Sequence, residues 1–139
     1  TGRLNSYMAE AERQYEVEIP IEVDAGAETL SAAQKTVLYR VACEAVNNAA
    51  RHGGATEISV EVHAEDDGYV LTVRDNGSGF REGRPARTGG KGIRSMKKVA
   101  ALLGGMLALK SAPGEGTEIR LTLPVSTGKR GRAYVSGRG

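Results

Sequence analysis

The sequence predicts an α+β fold, a two-layer sandwich in which a mixed, mostly antiparallel sheet is covered on one face by about three helices. Three observations predict it. Apolar residues recur at helical spacing in three segments and alternate at strand spacing in five others. The segments run helix, strand, helix, hairpin, loop, helix, hairpin, without the regular strand-helix alternation of a parallel sheet. With 139 residues and 40% apolar content, the chain can build one compact domain around a real core. Residues 1–125 are assigned to that domain.

Residues 3–14 place Leu4, Met8 and Ala11 at helical spacing, and VEIPIEVD then puts Val17, Ile19, Ile21 and Val23 on one side of a strand. From Ser31 to His52 there is no Gly or Pro, and the stretch stops at Gly53-Gly54, which predicts the longest helix. TEISVEVH and GYVLTVRD alternate on either side of Asp66-Asp67-Gly68 and predict a hairpin. Residues 76–92 are rich in Gly, Arg and Ser, with Phe80 almost the only apolar residue, so a mobile surface loop is expected. KGIRSMKKVAALL then spaces Ile93, Met96, Ala100 and Leu103 along one helix face and ends at Gly104-Gly105. MLALKSA and TEIRLTLP form a last pair of strands around Pro113-Gly114-Glu115-Gly116. The basic, glycine-rich tail 126–139 has little to bury and is expected to be disordered.

Composition excludes several classes. The net charge of +2 gives no reason to invoke nucleic acid. One cysteine, Cys43, cannot form an internal disulfide and reads as structural, and no apolar run approaches the ~20 residues that span a bilayer. A cytoplasmic domain with no membrane contact of its own is expected. The opening residues lack both an initiator Met and a signal-type apolar stretch, so a piece of a longer protein is expected.

Four segments can carry chemistry. In VACEAVNNAARHG, Glu44, Asn48 and Arg51 fall at i, i+4 and i+7 and form one polar stripe beside the apolar stripe of Leu38, Ala42, Ala45 and Ala49. Two adjacent Asn residues in mid-helix carry a propensity cost. The stripe is either a solvated face or a site for a hard cation such as Mg²⁺, which takes oxygen ligands from few protein groups plus phosphates. In VRDNGSGF, Asp75 shares its side of the strand with Leu71 and Val73, so its carboxylate points into the layer beneath the helices. Asp-Asn-Gly is also an ordinary turn, but a carboxylate there needs donors, and an adenine amine is one. In TGGKGIRSM, Gly90 and Gly92 precede a helix whose free N–H groups favour phosphate, with Lys91 adding charge; a flexible lead-in is the alternative. In GEGTEIRLTLP, Thr117 faces the same layer as Ile119, Leu121 and Leu123.

Taken in order, EAVNNAARHG, DNGSGF, GGKGIRSM and GEGTEIRLTLP resemble the asparagine box, the two glycine boxes and the final Gly-Thr strand of the ATP-binding domain of bacterial two-component sensor histidine kinases. The superfamily also includes DNA gyrase, heat-shock chaperones and mismatch-repair ATPases. The run LYRVACEAVNNAARHG is similar to the subfamily paired with helix-turn-helix response regulators. The resemblance implies a Bergerat ATP-binding fold with ATP and Mg²⁺ as ligands. It implies that Asn48 holds Mg²⁺, that Glu44 acts as base or polarises the attacking group, and that Arg51 and His52 approach the phosphates. It further implies that Asp75 accepts the adenine amine, that Gly77 and Gly79 shape the adenine pocket, that Gly90, Lys91, Gly92 and Ile93 line the phosphate side, and that Thr117 reaches adenine through water.

The sequence departs from the pattern in two ways. No separate phenylalanine box follows DNGSGF, and neither His52 nor the outward-facing His63 lies in a dimerisation helix with a phosphoacceptor motif. The implied partners are an upstream dimerisation domain that supplies the histidine and, indirectly, a response regulator, with the isolated domain monomeric. The alternatives are a serine-directed switch kinase like the anti-sigma factors and a non-catalytic nucleotide-sensing domain.

Overall fold

The computed structural model describes residues 2–52, 54–65, 67–77, 90–111 and 114–125, with the backbone alone at 52 and 90–93. Gly79, most of the 76–92 loop, the 126–139 tail and the side chains of His52, Lys91 and Ile93 therefore lie outside the described residues.

Helix α1 (Gly2–Tyr15) buries Leu4, Met8 and Ala11, the stripe that the sequence predicts. The strand expected to follow is shorter than its alternation suggests, β1 being Ile21–Val23. Pro20 has no N–H for a ladder, although its carbonyl accepts from Val60 N at 2.9 Å, and this confines the segment to a sheet edge. A short 3₁₀ helix over Ala25–Thr29 was not anticipated; it starts where Asp24 Oδ1 accepts from Gly26 N at 2.8 Å. Helix α2 (Ala32–His52) opens on a reciprocal cap in which Ser31 N donates to Gln34 Oε1 at 3.0 Å and Gln34 N donates to Ser31 Oγ at 3.1 Å.

The strands β2 (Ile58–Glu65), β3 (Gly68–Asp75), β4 (Met106–Ser111) and β5 (Thr117–Pro124) match the expected segments, and α3 covers Gly90–Leu102. The sheet order is β1-β2-β3-β5-β4, parallel only between β1 and β2, so it is the mixed, mostly antiparallel sheet expected. One face carries Ile58, Val60, Val62, Leu71, Val73, Leu107, Ile119, Leu121 and Leu123, all buried under the three helices. On α2 the buried stripe is wider than Ala42, Ala45 and Ala49, because Val37, Val41 and Val46 join it while Leu38 is only partly buried.

The opposite face is mostly polar, with Met106 and Ala108 exposed on the edge strand β4 and a buried patch on the central strand. Val70 and Thr72 are buried there without a covering helix. Their register neighbours are His63, Glu61, Thr122 and Arg120, and the ion pairs Arg74–Glu118 at 3.0 Å and Arg120–Glu65 at 3.3 Å span the same face. Long charged side chains close over apolar surface while keeping their heads in water.

The helices are oriented by contacts at one end of the sheet. Gln34 Nε2 donates to Pro124 O, and Pro124 pairs with Gly68, so the start of α2 meets the start of β3 and the end of β5. A Cβ on Gly105 would lie 2.3 Å from Thr122 O, so the end of α3 abuts that same end of the sheet. Thus α2 and α3 run in opposite directions, and the end of α2 and the start of α3 converge on the other end, where Asp75 pairs with Thr117.

Candidate functional site

At that end α2 lifts its polar stripe to the edge of the sheet. Asn48 lies about 21 Å beyond Gln34 along the helix, level with the end of β3, itself about 23 Å from Gly68. The chain after α2 confirms the level: Ala55 N donates to Ala49 O at 3.3 Å, and Asn76 just past β3 clasps the segment before β2. Asn76 Oδ1 accepts from Thr56 N at 2.9 Å and Glu57 N at 3.0 Å, while its Nδ2 donates to Thr56 Oγ1 at 3.0 Å. Asn76 and the buried Gly77 are therefore anchored, and Gly90–Gly92 form the first turn of α3, so these residues do not belong to the expected mobile loop, whose remainder lies outside the described residues.

Glu44 and Asn48 are half-buried and Arg51 is exposed, all on the flank of α2 that borders its buried stripe. Among the described residues no hydrogen bond or ion pair engages these three side chains. The Glu44 carboxylate and the Asn48 carbonyl are available to a hard cation. No cluster of three or more His, Cys, Asp or Glu side chains is present among the described residues, so any metal here draws on few protein ligands. Asn47, to which the sequence gives no role, accepts from Tyr15 Oη at 2.8 Å and ties α1 to the same turn of α2.

Asp75 is half-buried on the helix side of β3, as its parity predicts. Gly77 N donates to its Oδ1 at 2.7 Å. Burial pushes its carboxyl above the usual carboxylate range, and the N–H groups of Gly77 and Thr117 pull it partly back. A carboxylate has about four lone-pair sites, so two amide donors leave room for a ligand amine. Facing it on β5, Thr117 Oγ1 lies 3.0 Å from Ser111 Oγ, which also donates to Gly116 O at 3.1 Å.

Two residues here were missed from sequence. Gly116 has φ +79°, and a Cβ on it would lie 2.1 Å from Asp75 O, so only glycine lets the β4–β5 turn close onto the end of β3. Ser111 was passed over as a strand end. The signal for both was the Ser-x4-Gly-Thr run into a strand, with three apolar residues after it at alternate positions.

Elsewhere, Cys43 is half-buried on α2 with its thiol pushed up by burial, which disfavours the thiolate. His63 is exposed on the polar sheet face. A groove of about 410 Å³ beside the start of α1, lined by Leu4, Val23, Leu30, Leu38 and Tyr39 among others, contains none of the candidate site residues.

Residues 33–127 match the family of histidine kinase-, DNA gyrase B- and HSP90-like ATPases. The chain belongs to that ATPase family. It is 35% identical over 116 residues to the sensor histidine kinase MctS of Rhizobium johnstonii, covering 81% of this chain and 25% of that protein. It is 32% identical over 133 residues to the sensor histidine kinase YhcY of Bacillus subtilis, covering 94% of this chain and 35% of that one. The chain thus spans about a third or less of these relatives. Among solved structures, the blue-light activated histidine kinase of Erythrobacter litoralis superposes with a TM-score of 0.72 at 17% identity, over 91% of this chain and 42% of that one, and shares its fold. The sequence-based assignment to the histidine kinase branch of the family, and the fold that came with it, therefore stand.

Proposed function

We propose that this ATPase-family domain binds Mg-ATP between the α2 stripe and the Asp75–Thr117 end of the sheet. It transfers the γ-phosphoryl group to a histidine of a dimerisation domain outside the chain, as the catalytic part of a two-component sensor kinase. The observation that carries the reading is the convergence of three features on one end of the sheet: the Glu44–Asn48 stripe, the start of α3, and the acceptor pair of Asp75 and Thr117.

Each feature suits one part of the nucleotide. Asp75, with two lone-pair sites left, accepts the exocyclic amine of adenine, and Gly77 and Gly116 keep the backbone close to it. The unpaired N–H groups in the first turn of α3, at Gly90 to Ile93, face phosphate, with Lys91, Arg51 and His52 as the cationic complement. The donor set fits Mg²⁺, because the Asn48 carbonyl and Glu44 carboxylate are hard oxygen ligands one helical turn apart and no side chain among the described residues competes for them. When bound, the metal neutralises charge on the transferring phosphoryl oxygens. Asn48 holds it, Arg51 approaches the phosphates, and Glu44 accepts the proton of the attacking imidazole or orients it. Gly79, the second glycine of the DNGSGF segment, shapes the adenine side.

The acceptor histidine comes from elsewhere, because His63 is on the opposite sheet face and His52 falls in the phosphate-side box. The domain works in the cytoplasm as a monomer beside its dimerisation domain, and among the described residues no helix is long and apolar enough to cross a membrane. A response regulator then receives the phosphoryl group.

The test is to incubate the purified domain with labelled ATP, with and without a helical hairpin bearing the acceptor histidine. Acid-labile phosphate should appear on the hairpin only, and Glu44→Gln should lower the transfer rate about 10²- to 10⁴-fold with little change in ATP affinity. Acid-stable phosphate on serine would favour a switch kinase, and binding without any transfer would favour a nucleotide sensor.

A further inference from the structure

We propose that Ser111 is a positioning residue for base selection: it locks the Thr117 hydroxyl as an acceptor toward the base, so that the site prefers a 6-amino to a 6-oxo purine. This rests on the nucleotide reading above and adds to it a residue that does not itself touch the base.

The argument is one of proton count. Ser111 Oγ donates to Gly116 O at 3.1 Å, and a serine hydroxyl has a single proton. Its 3.0 Å contact with Thr117 Oγ1 must then have Thr117 as donor. Ser111 thus takes up the one proton of Thr117, and the lone pairs of Thr117 are what remain for a ligand. Gly116 keeps the turn close to β3, since it has φ +79° and a Cβ on it would lie 2.1 Å from Asp75 O, and this places its carbonyl beside Ser111. Ser111 pairs with Thr117 across β4–β5, and Thr117 pairs with Asp75 across β3–β5, so the three lie in one row.

The row therefore presents two acceptors side by side, an ionised carboxylate and a threonine oxygen. A 6-amino group has two N–H donors and satisfies both by direct contact. A 6-oxo group is an acceptor and is opposed by both. Without Ser111 the Thr117 hydroxyl rotates freely and donates to a 6-oxo group as readily as it accepts from an amine.

The experiment compares binding of ATP and inosine triphosphate by calorimetry in the wild-type domain, Ser111→Ala, Ser111→Thr, Thr117→Val and the Ser111→Ala/Thr117→Val double variant. Ser111→Ala should lower the ATP-to-ITP preference about five-fold, the worth of one hydrogen bond. Ser111→Thr, which keeps a hydroxyl, should restore it. In the Thr117→Val background, Ser111→Ala should change the preference no further. An unchanged preference in a folded Ser111→Ala protein, or an effect of Ser111→Ala that persists in the Thr117→Val background, overturns the proposal while leaving ATP binding intact. Failure of the wild-type domain to bind ATP would overturn both readings together.

Discussion

Asp75 shows how a single residue sets stability against function. Its side chain is half-buried, and burial pushes its carboxyl above the usual range, with the N–H groups of Gly77 and Thr117 offsetting only part of the shift. The folded chain accordingly holds this proton more tightly than the unfolded chain does. Its contribution to stability is fully present below the unfolded pKa and is lost as pH rises through the raised folded value. At neutral pH the ionised group is a cost to the empty domain. Asp75→Asn is therefore expected to raise the melting temperature of the nucleotide-free protein at pH 7 while weakening ATP binding about ten-fold or more, since a charge-assisted hydrogen bond is lost. Acidification should weaken ATP binding in the wild type as Asp75 takes up its proton, beginning above the pH at which an exposed Asp would protonate. In Asp75→Asn that component of the titration should vanish. A variant that melts lower than wild type at pH 7, or that binds ATP unchanged, would contradict this account.

Among the elements, α2 does the most. Its apolar stripe holds the sheet, its first turn is capped by Ser31 and Gln34, and its last turns carry Glu44, Asn48 and Arg51. If Asn48 and the metal act as one unit on the phosphates, then Asn48→Ala and removal of Mg²⁺ should each weaken ATP binding and should not add when combined. Full additivity in a titration calorimeter would separate Asn48 from the metal. Much of this element was legible in the sequence, because a long run without Gly or Pro that ends at a glycine pair leaves little choice of structure. Parity alone placed Asp75 and Thr117 on the helix side of their strands. Three features escaped for physical reasons. The 3₁₀ helix rests on a few bonds within Asp24–Leu30, too local to leave a periodic pattern. The shortening of β1 depends on which edge of the sheet Pro20 faces. The roles of Ser111, Gly116 and Asn76 depend on cross-strand register and turn closure, which emerge only when segments distant in sequence meet. The 3₁₀ turn aside, what the sequence left unread was pairing between segments and not the kind of segment.

At the scale of the whole molecule, the two ends of the sheet are held differently. One is cross-linked by Gln34 to Pro124 and packed tightly at Gly68, where a Cβ would lie 2.1 Å from Leu123 O, and at Gly105 against Thr122 O. At the other end, the stripe of α2 and the start of α3 face the Asp75–Thr117 pair, and among the described residues the side chains of Glu44, Asn48 and Arg51 make no hydrogen bond or ion pair to the strands there. ATP with Mg²⁺ should therefore raise the melting temperature, with a stabilisation near 2.7 kcal/mol at a nucleotide concentration about 100 times Kd. Amide exchange should slow most in the last turns of α2, the first turn of α3 and the start of β5, and least around Gln34 and Pro124. Uniform slowing across both ends would argue that the nucleotide acts on the fold as a whole.

The bond from Gln34 to Pro124 then acquires a second meaning. With one end of the two-layer stack fastened by the chain itself, loosening of the layers is expected to begin at the other end, as pages fan most easily away from a book's spine. A nucleotide bridging that free edge would complete the binding, and its loss would release that edge alone. On the proposed function, a small product would then leave from the end opposite the brace without unfolding the domain.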